Sequence, residues 1–439
     1  MINILVDAYA VSPNWGSEPG MGWNWICNLA RYCNLFIITE GEWQGEIETA
    51  IGAAMVGNMD KSVNPTGLTK EQAINMHFFY VPVDDNHERC AAIRKMCWNQ
   101  GTWQFYYYYA RWEKKVLERA KQIIAERKGT QLEININHKL NMISYREPGY
   151  LWKIKEIPFV WGPVGGYGFY PLAYLKEEGI SAKLKIVLKN ALIWLTFRYQ
   201  PRVRKAMKAA KIVVSAYNEN AVETTKVYNK PYIQINETGA HINNQSTPHH
   251  SNNKLFRLMW VGKYDHRKQL GIALHTMALL KNNPNIQLDV FGSGREEDVK
   301  RYTAMVNELG LNDTVHLLGK VPNVETRERM QNADIFFFTS VDDATSTVVP
   351  EAIGAGLPVV CHALLGFGDL VDENIGRKIP AVNPRQSASD FARVISELEA
   401  DREEVARLSA NCIKKQYEIS WEANAKKMLA EYERLLKMN

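Results

Sequence analysis

The sequence predicts an α/β protein of two doubly wound domains, each built on a parallel sheet. Short apolar runs alternate with helical stretches in both halves of the chain, which is typical of parallel strands buried on both faces. The chain has 439 residues, 46% hydrophobic and 23% charged, which is enough for two or three cores. A polar stretch at 241–254, HINNQSTPHHSNNK, lacks apolar periodicity and is the best candidate for a linker between the halves.

The apolar runs place the predicted strands along the chain. In the first half they are INILV (2–6), LFIIT (35–39), HFFYVP (77–82), EININ (133–137), IPFVW (157–161) and IVVS (212–215), with a polar insertion near 57–75. In the second half they are RLMWV (257–261), IQLDVF (286–291), TVHLL (314–318), IFFFT (335–339) and LPVVC (357–361). Near the end, spacings of four and three predict a final amphipathic helix with Trp421, Ala425, Met428, Tyr432 and Leu435 on one face.

Charge and cysteine content exclude several classes of protein. The net charge of +5 and the pI near 8.7 favour an anionic substrate or lipid surface, but fall short of a nucleic-acid-binding footprint. The six cysteines show no CxxC pair or metal-ligand spacing, so we expect reduced thiols in a cytoplasmic protein. The first residues carry no basic side chain, and an acidic residue, Asp7, follows soon after. This pattern indicates a first strand and not a signal peptide. No apolar run is long enough to span a bilayer.

The stretch DDATSTVVPEAIGAGLPVV (342–360) carries the strongest chemical signal. Proline lacks an N–H group, so a helix that contains Glu351 must begin within about three residues of Pro350, at Ser346 or Thr347. The first amides of such a helix lack intrahelical partners and form a site for a phosphate. Glu351 is then placed to accept hydrogen bonds from ribose hydroxyls, with Asp343 on the loop in front of the phosphates. A capped helix entering a core fits this segment alone equally well.

Residues that follow the other strands support a ligand site, because ligands of open α/β sheets bind beyond the carboxyl ends of the strands. Lys263 and Lys268 follow the first strand of the second half, where two ammonium groups can hold a diphosphate. Glycines follow the next two strands, at 292 and 294 and at 319, where backbone can approach a flat base closely. Each signal is weak alone, and for the lysines in isolation a solvated basic turn is the favoured interpretation. Together they indicate a nucleotide diphosphate with a further group attached.

At this point the sequence resembles a known family. The order G-x-x-x-x-x-K, G-x-G, acid-x7-E and E-A-x-x-x-G-x-P-V is similar to the retaining nucleotide-sugar glycosyltransferases of family 4, which adopt the GT-B fold. GSEPGMGWNW (16–25), INH (136–138), REPGYLW (146–152) and WGPVGG (161–166) resemble a bacterial subgroup of that family. The resemblance spans essentially the whole chain. It implies two Rossmann-like domains facing a central cleft: an acceptor-side domain over 1–240, to which a helix at about 418–439 returns, and a nucleotide-sugar-binding domain over 241–417.

The resemblance also implies roles for individual residues. Lys263 and Lys268 would bind the donor diphosphate, Glu351 the ribose, and Asp343 the hydroxyls of the transferred sugar. His138, at the end of a strand, would lie beside the reacting sugar, although a lone histidine is more often a core residue. The remaining donor-binding positions it implies are Gly20 and Gly22, on the loop before the first helix and across the cleft, and Gly262, Gly292, Gly294, Leu318, Gly319, and the amides of Thr347 and Val348.

Two departures from the family pattern concern the same region. The first acid of the acid-x7-E motif is usually Glu, and Asp343 is one methylene shorter, which changes its reach toward the sugar. The family's usual pair of glycines downstream is Leu365 and Gly366 in this chain.

The expected reaction is transfer of a sugar from a nucleotide-diphosphate donor to a glycan, lipid-linked or other acceptor, in cell-surface polysaccharide or glycoconjugate biosynthesis. No residue is marked as a carboxylate nucleophile, so we expect front-face substitution with no metal or cofactor. Two alternatives stay open: a nucleotide-sugar epimerase of the same fold, and a non-catalytic nucleotide-sugar-binding protein. A nicotinamide-dependent oxidoreductase is excluded because no G-x-G-x-x-G follows the first strand.

Two segments bear on the acceptor side. RKMCWNQGTWQFYYYYARWEKK (94–115) is an aromatic-rich helix, which indicates core packing more often than a sugar platform. Residues 173–211 combine apolar runs with an excess of basic residues over Glu177 and Glu178; the bases are Lys or Arg at 176, 183, 185, 189, 198, 202, 204, 205, 208 and 211. This segment is expected either to lie on an anionic membrane at its inner face or to form a solvated helix face.

Overall fold

The computed structural model describes residues 1–97, 102–175, 180–244, 247–248 and 254–438. They form two compact units. Unit 1 consists of Met1–Tyr167, Ile193–Glu237 and Trp421–Asn439, and unit 2 of Gly168–Leu192 and Thr238–Ser420. Residues 245–246 and 249–253 of the predicted linker lie outside the described residues, as do 98–101 of the aromatic segment and 176–179 of the basic segment.

Each unit contains one six-stranded sheet. The strands of unit 1 are β1 Ile2–Ala8, β2 Cys33–Glu40, β3 Met76–Val81, β4 Ile136–Asn141, β5 Phe159–Val164 and β6 Ile212–Ser215. Those of unit 2 are β7 Phe256–Val261, β8 Ile286–Phe291, β9 Val315–Gly319, β10 Ile335–Phe338, β11 Val359–His362 and β12 Gly376–Ile379. Neighbouring strands pair in parallel throughout both sheets.

Helices connect the strands. In chain order they are α1 Ser17–Leu29, α2 Gln44–Met55, α3 Lys70–Ile74, α4 His87–Cys97, α5 Trp103–Arg127, α6 Ile180–Tyr199, α7 Pro201–Ala209, α8 Asn218–Tyr228, α9 Leu270–Leu280, α10 Glu296–Glu308, α11 Asn323–Met330, α12 Val348–Gly354, α13 Leu365–Leu370, α14 Pro384–Ala400, α15 Arg402–Glu418 and α16 Trp421–Lys437. Short 3-10 helices occur at Gly41–Trp43, Leu151–Lys153 and Leu172–Leu175. No helix among these described residues has both the length and the apolar character needed to cross a membrane.

The two sheets share one strand order, which confirms the predicted pair of doubly wound domains. It is β3-β2-β1-β4-β5-β6 in unit 1 and β12-β11-β10-β7-β8-β9 in unit 2. In unit 2 the chain builds β7, β8 and β9 outward and then crosses back to β10, so β7 and β10 are neighbours. That position, where the strand order reverses, is the topological switch point at which open α/β sheets bind ligands.

The cores lie on both faces of the sheets, as the continuous apolar runs predict. In unit 1 one cluster packs α5 and α7 against the sheet, and a second packs α1, α2 and α16. Trp421, Ala425, Met428, Tyr432 and Leu435 are all buried in α16, so the predicted final amphipathic helix is confirmed. In unit 2 one cluster joins α9, α10 and α14 to the strands.

Two strand predictions need correction. The strand predicted at 133–137 lies further along, at β4 Ile136–Asn141, because polar residues inside it are buried and find distant partners. Asn141, for example, exchanges hydrogen bonds with the backbone of Ala10, at 3.3 Å to its N and 2.7 Å to its O. The edge strand β12 was not predicted, since GRKI is short and half polar, as an edge strand can be.

A buried charge cluster occupies the switch point of unit 1, between β1 and β4. The Lys139 ammonium lies 3.0 Å from Asp7 Oδ2, pairs with Glu113 of α5, and donates to the Tyr109 hydroxyl at 2.7 Å. Lys139, Asp7 and Glu113 are fully buried. Burial and the neighbouring Glu113 raise the pKa of Asp7 well above its usual range. The cluster therefore holds one cation between two acids out of water.

The aromatic segment is divided between two helices, α4 and α5, where one helix was predicted. Phe105, Tyr109 and Trp112 on α5 are buried in the core of unit 1, as expected for core packing, while Trp103 and Tyr107 are exposed.

The six cysteines are all buried and unpaired, which confirms the prediction of free thiols; they are Cys27, Cys33, Cys90, Cys97, Cys361 and Cys412. Burial raises the pKa of Cys97 to about 11 and that of Cys33 and Cys361 to about 12.

Candidate functional site

Three glycines lie at the carboxyl edge of the sheet of unit 2: Gly262 after β7, Gly292 after β8 and Gly319 at the end of β9. Gly262 N donates to Phe291 O at 3.0 Å, and Gly292 N donates to Gly319 O at 2.8 Å. Gly292 has φ +143°, and a Cβ added there would lie 1.8 Å from Gly262 O. No side chain fits at Gly292, so the edge consists of bare backbone, and the structure brings together these three predicted site residues.

The other two donor-binding positions predicted in this part of the chain are Gly294, in the loop after β8, and Leu318, within β9. A Cβ added at Gly294 would lie 2.8 Å from Tyr264 Cβ, so glycine lets the loop after β8 pack against the loop after β7. Leu318 is 44% exposed at the end of β9, beside Gly319, whose φ is +74°. Leu318 therefore offers an apolar side chain next to the bare edge.

Lys268 and Asp343 meet at the switch point of unit 2. Lys268 follows β7, Asp343 follows β10, and the two side chains form an ion pair. Their side chains are only 13% and 21% exposed, so water screens the pair less than it would at the surface. The Lys268 ammonium also lies 5.0 Å from the centre of the Phe338 ring. The structure therefore brings together two residues whose predicted roles are diphosphate binding and sugar binding.

Two hydrogen bonds, one of them from a side chain, hold the Lys268 loop against the end of β10. Val341 N donates to Arg267 O at 2.9 Å, and the Thr339 hydroxyl donates to Lys268 O at 2.8 Å. Gln269, the next residue, adopts the left-handed φ of +54°, which is rare for a residue with a side chain. Lys263, five residues before Lys268, is exposed on the same loop. This bracing fixes the position of Lys268 relative to Asp343.

The loop after Asp343 leads into α12 close to the predicted position. The helix begins at Val348 with Thr347 at its cap, one residue later than the latest predicted start. Pro350 is the third helical residue, where the missing N–H costs no intrahelical bond. Just before the helix, the backbone of Ser346 adopts a left-handed conformation with φ of +58°. The N–H groups of Thr347 and Val348, at the start of α12, therefore have no hydrogen-bond acceptor within the helix.

Glu351 is the fourth residue of α12 and is partly buried. Burial raises the pKa of Glu351 to about 7, against the opposing positive charge of Arg327. A carboxyl group in this state changes its charge near neutral pH.

Gly366 and Leu365 pack against the same loop. Gly366 N donates to Ala344 O at 2.7 Å, and a Cβ added at Gly366 would lie 2.4 Å from Thr345 Cγ2. Leu365 has φ +51°, a conformation that glycine adopts without strain. Leu365 stands where the family pattern has the first of two glycines. Its backbone conformation is thus one that suits glycine, although its side chain is larger.

His138 is a core residue of unit 1, in the middle of β4 and not at the end of a strand. It is fully buried, its Nε2 lies 2.6 Å from Gly162 O, and its Nδ1 lies 2.6 Å from the Tyr432 hydroxyl. Burial lowers the pKa of His138 to about 4, so the ring is neutral near pH 7. Both nitrogens are engaged and the ring has no exposed surface, which contradicts the predicted contact with a sugar.

Gly20 and Gly22 are also placed differently from the prediction. Both are buried within α1, not on the loop before it. A Cβ added at Gly20 would lie 2.1 Å from Trp15 O, and one at Gly22 would lie 2.5 Å from Ala10 O. In unit 1 these glycines allow the preceding loop to pack directly on the helix.

Sequence reasoning missed a segment of unit 2 that braces the site. The Tyr170 hydroxyl donates to His266 O at 3.2 Å and accepts from Gln269 Nε2 at 2.9 Å. Lys189 of α6 pairs with Asp342 at 2.7 Å, beside Asp343. These partners are about 96 to 153 positions apart in the chain, so no local spacing could have indicated them.

The chain is similar in part to known glycosyltransferases. Residues 242–415 match the family model described as glycosyl transferases group 1. The chain is 27% identical over 152 residues to the amylovoran biosynthesis glycosyltransferase AmsK of Erwinia amylovora, covering 33% of this chain and 37% of AmsK. It is 28% identical over 137 residues to the lipopolysaccharide glucosyltransferase WaaG of Escherichia coli, covering 31% of this chain and 36% of WaaG. The alignments thus span little more than a third of these relatives.

A solved structure extends the likeness to the whole chain at the level of the fold. Anabaena HepE, crystallised with UDP, superimposes with a TM-score of 0.60 over 99% of this chain and 100% of its own, at 13% identity. These likenesses confirm the predicted GT-B fold, and residues 242–415 are similar to the group 1 glycosyl transferases.

Proposed function

We propose that this chain is a retaining glycosyltransferase of family 4. It transfers a sugar from a nucleotide-diphosphate donor to a glycan or lipid-linked acceptor in cell-surface polysaccharide or glycoconjugate biosynthesis. The observation that carries the proposal is the Lys268–Asp343 pair at the switch point between β7 and β10, directly beside the bare glycine edge. This pair lies inside the matched residues 242–415. Two of the relatives act in amylovoran and lipopolysaccharide synthesis, as their names state, and HepE binds UDP.

The Lys268–Asp343 pair fits a site that receives an anion. An ammonium group in a mostly buried place needs a negative partner, and Asp343 supplies it when no ligand is bound. A diphosphate that enters between the Lys268 loop and α12 offers Lys268 a stronger acceptor and frees Asp343 to bind hydroxyls of the sugar. The amides of Thr347 and Val348 and the exposed Lys263 complete the anion site in this proposal.

The chemistry follows from the leaving group. The bond between the anomeric carbon and the diphosphate oxygen breaks, and its electron pair stays on the diphosphate, where Lys268 and Lys263 stabilise the added charge. The acceptor oxygen bonds to the anomeric carbon from the same face, and its proton passes to the departing phosphate oxygen. Retention therefore requires no enzyme carboxylate beneath the sugar. In the described residues no cluster of three or more His, Cys, Asp or Glu could hold a metal ion, and independence of metals stays a prediction.

The test of this proposal is a panel of UDP-, GDP- and dTDP-sugars. A donor that binds only the folded chain at about a hundred times its Kd stabilises it by about 2.7 kcal/mol, and its melting temperature rises accordingly. We expect sugars of one nucleotide to stabilise the chain and to be slowly hydrolysed, with the α-anomer released first from an α-linked donor when followed by NMR.

Each other outcome contradicts a defined part of the proposal. First release of the β-anomer would contradict retention. An epimerised sugar still attached to its nucleotide would identify an epimerase. Stabilisation without hydrolysis, even with a glycan-containing extract as acceptor, would identify a binding protein, and the absence of any stabilisation would overturn the donor site.

Glu351 provides a pH-dependent prediction for the same site. Ribose hydroxyls donate hydrogen bonds to a carboxylate, so donor binding favours the ionised form of Glu351. Since the pKa of Glu351 is about 7 in the free chain, it is mostly protonated at lower pH and mostly ionised at higher pH. We expect affinity for the stabilising sugar nucleotide to rise up to about tenfold between about pH 6 and 8. The diester diphosphate of such a donor does not titrate in this range.

Calorimetric titration of Glu351→Gln should show weaker binding and no such rise. The matched control is Glu147→Gln in unit 1, because burial also raises the pKa of Glu147 to about 7. That variant should keep the pH dependence of the wild type. If the dependence instead disappears in Glu147→Gln and persists in Glu351→Gln, Glu351 does not bind the ribose.

A further inference from the structure

The outer face of α6 carries a row of exposed apolar side chains. Ile180, Leu184, Val187 and Leu188 are 85%, 68%, 46% and 57% exposed. Their spacing of four, three and one places them on one face of the helix. Single exposed apolar residues are common on protein surfaces. A contiguous row of them on one helix, in contrast, marks a surface that binds a protein or a membrane. All four belong to the part of α6 that lies in unit 2.

The charges around this row indicate what kind of partner covers it. Residues 180–211 contain nine Lys or Arg and no Asp or Glu. Within the unit 2 part of α6 the bases are Lys183, Lys185 and Lys189, and Lys189 is already paired with Asp342. A helix with an apolar face and flanking lysines is the pattern of segments that lie in the interface of an anionic bilayer.

A second copy of this chain is a poorer match for the same face. In a two-fold dimer the patch would meet itself, so the lysines of each copy would approach those of the other without an acid in the helix to neutralise them. An anionic lipid surface neutralises them. Spanning is not an alternative, because no helix in the described part of the chain is long and apolar enough to cross a membrane.

We infer that the α6 face formed by Ile180, Leu184, Val187 and Leu188 docks on an anionic lipid surface, with the apolar side chains among the acyl chains and the lysines at the headgroups. The docking helix also touches the candidate site of unit 2. Lys189 pairs with Asp342, and Asn190 exchanges hydrogen bonds with Tyr170 backbone atoms at 3.1 and 2.9 Å. Docking thus places the loop that carries Asp343 close to the membrane surface, where a lipid-linked acceptor would be found.

The test is co-sedimentation of the full chain with vesicles, which reports binding independently of any transfer activity. We expect binding to phosphatidylcholine vesicles that contain about 30 mol% phosphatidylglycerol, weak binding to phosphatidylcholine alone, and release by about 0.5 M salt of the charge-dependent part. Leu184→Gln with Leu188→Gln should lower the partition coefficient on the order of tenfold per leucine. Lys185→Gln should weaken binding to the anionic vesicles only.

A matched control replaces exposed apolar residues elsewhere in unit 2, Leu279→Gln with Val382→Gln, which are 59% and 54% exposed. This control should bind vesicles like the wild type. Equal binding of the Leu184/Leu188 variant, equal binding to neutral vesicles, or no binding at all overturns the inference. So does a dimer in sedimentation analysis that the Leu184/Leu188 substitutions dissociate, since a second copy would then cover the face. A failure here leaves the donor-binding proposal intact, because the vesicle readout involves no sugar nucleotide.

Discussion

Replacing Lys139 with alanine is expected to lower the free energy of unfolding by about 3–5 kcal/mol at neutral pH, because it leaves buried acids without their cation. Asp7 and Glu113 are fully buried with Lys139, and Asp7 Oδ1 and Glu113 Oε2 already lack hydrogen-bond partners in the described residues. Once the ammonium is lost, both acids must be neutral to stay folded. Urea unfolding followed by circular dichroism measures the loss.

The pH dependence of this loss has a defined sign. Acids forced to be neutral in the folded state bind more protons there than in the unfolded chain, so the stability of the variant should rise as pH falls from about 7 toward the usual carboxyl pKa near 4. The variant should therefore be closest to the wild type in mild acid.

Two further variants make this prediction specific. Lys115→Ala removes a lysine of α5 whose partner Asp85 is 91% exposed, and it should cost less than about 1 kcal/mol. Asp7→Asn, Glu113→Gln and Lys139→Met together remove all the charges and should recover most of the stability. A loss for Lys139→Ala as small as that for Lys115→Ala would show that the cluster does not stabilise unit 1.

Replacing Lys268 with alanine is expected to reduce the turnover of donor by about 10²–10³-fold, the usual effect of removing one preorganised group that stabilises charge in a transition state. The charge on the diphosphate increases as the glycosidic bond breaks, so Lys268 stabilises the transition state more than the bound donor. Turnover should accordingly fall far more than acceptor binding weakens. Donor hydrolysis at saturating sugar nucleotide measures it.

Controls separate this effect from loss of structure. Lys281→Ala removes an exposed lysine after α9, before β8 begins and thus at the opposite edge of the sheet, and should leave turnover unchanged. Lys268→Arg keeps the charge and should restore part of the rate. Asp343→Asn tests whether the loss arises from the unpaired acid, because the double variant with Lys268→Ala would then regain activity. Full activity of Lys268→Ala would exclude Lys268 from the reaction.

The fold was predictable because most of its strands are continuous apolar runs. The strands that were misplaced or missed have one physical origin. Hydrophobic periodicity detects apolar residues that are buried, but not polar residues that are buried. Asn137, His138 and Lys139 are polar yet fully buried, and their partners come from elements far along the chain. The predicted strand therefore ended at Asn137, before His138 and Lys139. The edge strand β12 was not predicted for a related reason, because its Arg377 and Lys378 are polar and only partly buried.

The candidate site was predictable where its residues directly follow strands. Gly262 and Gly292 do so, Gly319 ends β9, and Lys268 and Asp343 lie in the loops after β7 and β10. Parallel strands bring such residues to one edge of the sheet.

The incorrect and missing parts of the site depend on packing. His138 was expected in a site because it lies in a motif, yet its ring faces the core and Tyr432 of α16. Tyr170 and Lys189 support the site through contacts to loops 96 and 153 positions away in the chain, which only the folded chain reveals.

The six buried thiols have a practical consequence. A maleimide dye reacts with an accessible thiolate, and each native cysteine is buried. Burial also raises the thiol pKa of Cys27, Cys33, Cys97, Cys361 and Cys412 above its ordinary value. A single cysteine introduced at an exposed position would thus carry the label alone, with no need to remove the native ones. Placed on the outer face of α6, such a probe would report the polarity of its surroundings in water and on a bilayer within the otherwise unaltered chain.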